Sequence, residues 1–121
     1  MDLRACYQQM GGDYDAVMAR LRQEERVSKF LRMFLADDNF QSLTGAMEAQ
    51  DWPTAFRAAH SLKGVALNLG MTALAGTASA LTECLRPGAP TQEPGPLYAA
   101  LEEDYHRAVA AIQTLLSGAN G

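Results

Sequence analysis

Apolar residues recur at helical spacing in several segments of the chain, and breaks rich in glycine or proline separate these segments. The last segment shows the pattern best, with the stripe Leu97, Leu101, Tyr105, Ala108, Ile112 and Leu115. A second stripe, in the segment from Thr72 to Arg86, consists of Leu74, Ala78, Leu81 and Leu85. Each stripe recurs every three or four residues and therefore predicts an amphipathic helix with one buried face.

Shorter helices are predicted earlier in the chain. One contains Phe40, Leu43 and Met47, and a longer one before it contains Val27, Phe30, Leu31 and Phe34. Residues 2–10 and 13–21 predict one or two short N-terminal helices, with Gly11 and Gly12 as the break between them. Four of the five prolines lie between Pro87 and Pro96, which predicts a connecting loop. We therefore predict one all-α domain over residues 1–121, an antiparallel up-and-down four-helix bundle with one or two short extra N-terminal helices.

The predicted helix from about Trp52 to Leu69 has an unusual polar face. Asp51 is suited to cap this helix, and Pro53 to its first turn. At 100° per residue, seven apolar residues gather on one face: Ala55, Ala58, Ala59, Leu62, Val65, Ala66 and Leu69. That face is the predicted core contact, and His60 then points almost directly away from it.

The residues around His60 are not those of an ordinary solvated surface. Phe56 and Leu67 are large and apolar where a polar side chain is expected. Gly64 lies in mid-helix at a cost of about 1 kcal/mol relative to alanine, and Lys63 lies one turn from His60. A phosphoryl group on the imidazole would explain all of these features, because it needs free space, a cation and a docking surface for a partner.

Other interpretations of the same residues remain open at this stage. Gly64 would also suit close helix–helix packing, and Phe56 and Leu67 would also suit contacts with the N-terminal helices. Arg57 and Asn68 lie further round the helix, either in a solvated rim or in contact with a partner.

Composition excludes several other classes of function. A net charge of −4 argues against nucleic-acid binding, and no apolar run approaches the ~20 residues that cross a bilayer. Without a predicted signal peptide, we expect a cytoplasmic protein in which Cys6 and Cys84 are buried free thiols, although a disulfide remains open. His106 has no comparable setting and is interpreted as structural or solvated, and no metal-ligand spacing is present.

The run Ala59-His60-Ser61-Leu62-Lys63-Gly64, followed by Ala66, Gly70 and Leu74, resembles the signature of histidine-containing phosphotransfer (HPt) domains. The resemblance implies a four-helix bundle with His60 as the phosphoacceptor, Lys63 as the cation that stabilises the phosphoryl group and Gly64 as the clearance residue. Phe56, Arg57, Leu67 and Asn68 are then the expected partner-binding residues. Met71 and Thr72 depart from the commonest residues of the family, which affects packing at the turn more than chemistry.

The resemblance also implies the partners and the absence of cofactors. The expected partners are receiver domains of response regulators and of hybrid sensor histidine kinases, and we expect a monomer that binds neither nucleic acid nor membrane. Since no nucleotide-binding motif is present, the chain is expected to be a phosphoryl carrier and not an enzyme. We expect it to hold no cofactor or metal, and we expect the receiver to bind the Mg²⁺. The alternatives are a bundle that only binds a partner and, with least support, a phosphohistidine phosphatase or a kinase dimerisation segment.

Overall fold

The computed structural model describes residues 1–118, so residues 119–121 of the predicted domain lie outside the described residues. The described chain contains no strand and forms seven helices: α1 (Leu3–Met10), α2 (Tyr14–Leu21), α3 (Glu24–Leu35), α4 (Asn39–Ala49), α5 (Trp52–Asn68), α6 (Thr72–Leu85) and α7 (Pro94–Leu116). The predicted all-α class is confirmed, and both short N-terminal helices are present as α1 and α2.

The last four helices, α4 to α7, form the bundle. Short turns join α4 to α5 and α5 to α6, so α5 packs between two antiparallel neighbours. Helix α7 packs along α6, and the rings of Phe40 and Tyr105 stack with their centroids 4.0 Å apart, which joins α7 to α4. Helices α1 and α3 pack against α7, and α2 packs against α3. The phosphoacceptor predicted from the sequence is therefore on a helix held from both sides.

The core is built mainly from leucine and alanine. Leu62, Leu81, Leu85, Leu101 and Ile112 are fully buried between the bundle helices. Small alanines on α5 and α6 let these two helices approach closely, since their side chains end at Cβ. Both cysteines are free and buried, as predicted. Burial raises the pKa of the Cys6 thiol to about 11, so this thiol is unreactive near neutral pH.

The predicted proline loop is shorter than expected. Helix α7 begins at Pro94, so that Pro94 and Pro96 belong to its first turn instead of to the loop. The first N–H groups of a helix have no partner within the helix, and a proline there loses no hydrogen bond. The loop prediction was therefore wrong for residues 94–96, because a high density of prolines is compatible both with a loop and with the first turn of a helix.

The N-terminal segment is fastened to the turn that follows α5. The buried Tyr7 hydroxyl donates a hydrogen bond of 2.6 Å to the carbonyl of Leu69, and the Asp13 N–H donates one of 2.8 Å to the carbonyl of Gly70. Gly70 has a φ of +69°, and a Cβ there would lie 2.9 Å from the Asp13 carbonyl oxygen. Only glycine fits this turn without strain, and the turn fixes where α5 ends.

Replacing Tyr7 with Phe should lower the free energy of unfolding by about 1–2 kcal/mol, because the Leu69 carbonyl loses its buried donor. Urea denaturation measures the change. Tyr14→Phe is the control, since the Tyr14 hydroxyl bonds Glu24 at the surface, and its effect should stay within about 0.5 kcal/mol. Equal losses in the two variants would contradict a special role for the Tyr7 hydroxyl.

Candidate functional site

Helix α5 begins where the sequence predicts. The Asp51 carboxylate accepts a hydrogen bond of 3.2 Å from the Thr54 N–H, and Pro53 lies in the first turn. Hydrogen bonding to Thr54 holds the pKa of Asp51 below its usual value, so this carboxylate stays charged at neutral pH. Its negative charge interacts favourably with the positive end of the helix dipole. The predicted cap is confirmed, and it fixes the start of the helix that carries His60.

The side chain of His60 is exposed, as the periodicity predicted. On the opposite face of α5, Ala55, Ala58, Ala59, Leu62, Ala66 and the adjoining Leu69 are buried, and Val65 is half-buried. The imidazole lies parallel to the ring of Phe56, with an interplanar angle of 7° and centroids 5.9 Å apart. Because Phe56 itself packs partly against the core, the stack gives the exposed imidazole a supported orientation.

Gly64 leaves open space one turn along the helix from His60. Among the described residues, a Cβ built on Gly64 would meet no atom within 4 Å outside its own neighbours and helix backbone. Close packing against another of the described helices is therefore not the reason for a glycine here, and that alternative interpretation is wrong. The role of Gly64 as the clearance residue stays a prediction, and the open space is consistent with it.

Lys63 is half-buried at the edge of a groove that α5 and α6 form with the start of α2. The groove has a volume of about 400 Å³, and Asp13, Ala16, Leu67 and Ser79 are among its lining residues. Among residues 1–118, Lys63 has no salt bridge and no side-chain hydrogen bond. Its ammonium group is therefore available to pair with an anion attached to His60.

Two of the four predicted partner-binding residues are apolar, and they differ in exposure. Leu67 is 52% exposed, whereas Phe56 is half-buried. The guanidinium of Arg20, on α2, donates to the backbone carbonyls of Leu67 at 2.8 Å and of Asn68 at 2.6 Å. The N-terminal helices thus contact the backbone at Leu67 and leave much of its side chain in water.

The other two, Arg57 and Asn68, are both exposed. Arg57 donates a hydrogen bond of 3.1 Å to the hydroxyl of Thr54 within the first turns of α5. Their contact with a partner stays a prediction, as does that of Phe56 and Leu67.

An ion pair at the C-terminal end of α6 lies beside Phe56 and was not predicted from the sequence. The Arg86 guanidinium lies over the Phe56 ring, 5.3 Å from its centroid, and binds the Glu83 carboxylate with an Nη2–Oε2 distance of 2.6 Å. The hydrogen bond from Arg86 lowers the pKa of Glu83, and the charges of Arg86, Lys63 and His60 act in the same direction. The spacing of three residues between Glu83 and Arg86 was visible in the sequence, but the alignment of α6 against α5 was not.

The exposed apolar surface also extends further than predicted. Phe30 and Met33, on α3, are 36% and 55% exposed. With Val65 and Asn68 of α5 they line a groove of about 270 Å³. The apolar spacing predicts a helix that contains Phe30 but not the exposure of its side chain, because a helix at the edge of a bundle and one inside it share the same periodicity.

Within residues 1–118, no three His, Cys, Asp or Glu side chains form a group suited to hold a metal ion. In the same part of the chain, no helix combines the length and the apolar character that crossing a bilayer requires. His106 is exposed, and its ring meets Phe40 edge-on with centroids 5.5 Å apart, as expected for a structural or solvated residue.

Comparison with protein families identifies one match. The model of the Hpt domain matches residues 29–117, which include the helices α4 to α7 and most of α3. Comparisons with curated proteins and with solved structures give no significant match.

Replacing Gly64 with Ala should raise the free energy of unfolding by about 0.5–1 kcal/mol and slow phosphoryl transfer. Stability should rise because the new methyl group meets nothing within residues 1–118, and transfer should slow because it occupies the space beside His60. Gly45→Ala is the matched control, since Gly45 also lies within a helix with open space around it. It should stabilise the protein equally and leave the rate of transfer unchanged. Equal transfer rates in the two variants would contradict the role of Gly64 as the clearance residue.

Proposed function

The chain belongs to the Hpt domain family, whose members serve histidine phosphotransfer in phosphorelays, and on that premise we propose that it is a phosphocarrier that accepts and donates a phosphoryl group at His60. The observation that carries the proposal is the setting of this imidazole. It is exposed and stacked on Phe56, and within residues 1–118 it has open space at Gly64 and an unpaired lysine one turn away.

The transfer requires little chemistry from this chain. The lone pair of a neutral imidazole nitrogen of His60 attacks the phosphorus of an aspartyl phosphate. An N–P bond forms as the acyl phosphate O–P bond breaks, and its electron pair returns to the aspartate as a carboxylate. The imidazole gains a positive charge as it gains the dianionic phosphoryl group, so charge is conserved. Lys63 is proposed to pair with the phosphoryl oxygens during and after this step.

The partner supplies the remaining groups. Receiver domains of response regulators and of hybrid sensor kinases are the proposed donors and acceptors, and they provide the aspartate and the Mg²⁺ that neutralises phosphate charge. The half-buried Phe56 and the exposed Leu67 lie on either side of His60 along α5, with Arg57 and Asn68 beside them. We propose that these four residues contact the receiver, because apolar groups around a reacting atom exclude water when two surfaces meet.

An exposed apolar surface would serve a bundle that only binds partners equally well, so the test must detect covalent transfer. A panel of receiver domains is phosphorylated with acetyl phosphate and mixed with the protein. We expect label that is labile in acid and stable in base, as for phosphohistidine. Label should be absent in His60→Gln and retained in the control His106→Gln, because His106 lies on α7 against aromatic rings.

Stable complexes without label on the wild-type protein would support the binding-only alternative and contradict the carrier. Label that survives in His60→Gln would place the phosphoacceptor elsewhere.

Lys63→Ala should slow transfer by about tenfold, which corresponds to about 1.4 kcal/mol of lost stabilisation in the transition state. The bundle should stay folded, because Lys63 makes no salt bridge or side-chain hydrogen bond among the described residues. Label on the protein in reactions stopped at successive times gives the rate of transfer, and circular dichroism gives the melting temperature. Lys29→Ala is the control, since Lys29 is the only other lysine and lies exposed on α3. A melting temperature of Lys63→Ala well below that of Lys29→Ala would mean that the role of Lys63 is structural instead.

A further inference from the structure

Helices α5 and α6 are antiparallel neighbours, and two contacts fix how they are aligned. Phe56 lies against Arg86, and Lys63 shares a groove with Gly76 and Ser79. His60 lies between Phe56 and Lys63 on α5, and is therefore level with the part of the chain between Ser79 and Arg86.

Within that part of α6, one exposed side chain carries a charge. Leu81, Thr82, Cys84 and Leu85 are buried, and Ala80 is exposed but apolar. Glu83 is exposed and ionisable, at the height of the imidazole along the bundle. The hydrogen bond from Arg86 is the main cause that lowers the pKa of Glu83, and the charges of Lys63 and His60 lower it further, which agrees with this placement.

The Glu83 carboxylate accepts hydrogen bonds from two nitrogens of the Arg86 guanidinium. Nε of Arg86 donates at 3.0 Å to Oε1, and Nη2 donates at 2.6 Å to Oε2. The same guanidinium lies over the Phe56 ring, on which His60 stacks. Its Nη1 has no partner among the described residues and remains available as a donor.

We propose that Glu83 and Arg86 set how strongly His60 holds its phosphoryl group, with the Glu83 carboxylate favouring donation and the Arg86 guanidinium favouring retention. This inference rests on the proposed function and assigns it two positioning residues at the C-terminal end of α6. Neither residue acts on the phosphorus atom. They act through the electrostatic potential at the phosphoryl oxygens.

The direction of each effect follows from charge. Phosphorylation of His60 adds two negative charges on the phosphoryl group and one positive charge on the imidazole, and the net repulsion from a nearby carboxylate raises the free energy of the phosphorylated state. When the receiver aspartate attacks, its oxygen forms an O–P bond, and the N–P bond breaks with its electron pair returning to the imidazole. The repulsion is relieved at that point, which favours donation. Arg86 opposes this by offsetting the carboxylate and attracting the phosphoryl oxygens.

The test measures the equilibrium between phosphorylated protein and phosphorylated receiver at low ionic strength. Glu83→Gln keeps the shape of the side chain without its charge, and should raise the ratio of phosphohistidine to aspartyl phosphate by about three- to tenfold. Arg86→Gln should lower that ratio by a similar factor, and the double variant should lie between the two. Both wild-type side chains are about half exposed, 56% for Glu83 and 51% for Arg86, so we expect the variants to fold.

The control is Glu103→Gln, which removes the same charge from an exposed position on α7 and should leave the ratio unchanged. Raising the salt concentration to about 1 M should shrink the effect of both α6 variants, because the Debye length falls to about 3 Å. A purely structural role would not respond to salt in this way.

The outcomes separate this inference from the proposed function. If the wild-type protein takes label but Glu83→Gln leaves the ratio unchanged, or both single variants shift it in the same direction, the proposed role of the pair is wrong and the carrier remains. If the wild-type protein takes no label at His60 from any receiver, the carrier function fails, and this inference fails with it.

Discussion

The burial of one apolar face of α5 between α4 and α6 determines the direction of every other side chain on that helix. Ala58 and Leu62 are buried, and each is about 200° of helical rotation from His60. Rotating α5 to hide the imidazole would expose alanine and leucine atoms and place a polar ring in the core, both at a cost in free energy. The exposure of His60 is therefore a consequence of core packing, and the stack on Phe56 and the space at Gly64 depend on it.

Features that depend on local sequence could be predicted, and those that depend on the alignment of separate helices could not. The Asp51 cap, the apolar stripe of α5 and the exposure of His60 all follow from residues within one helix. The proximity of Arg86 to Phe56 depends instead on how α5 and α6 slide along each other, which side-chain interdigitation decides. The start of α7 at Pro94 was missed for a different reason, because proline is tolerated in a first turn and the pattern around it resembled a loop.

The first 28 residues lie outside the region that matches the Hpt family, yet they are tied to α5, the helix that carries His60. Tyr7 and Arg20 bond carbonyls at the C-terminal end of α5, where a helix leaves such groups without partners. The same segment contributes Asp13 and Ala16 to the groove that contains Lys63. The N-terminal helices thus extend the core and also shape the surroundings of the proposed site.

In the proposed function, a phosphocarrier must hold its phosphoryl group firmly enough to keep it and weakly enough to pass it on. A site with Lys63 and a free Arg86 would place two cations near the same dianion and favour retention. Glu83 occupies much of the hydrogen-bonding capacity of Arg86 and adds a negative charge at the height of His60. Because these side chains are on the surface, solvent weakens each contribution and the opposing effects stay comparable in size. A balance of this kind suits transfer in both directions, since neither phosphorylated state is then strongly favoured.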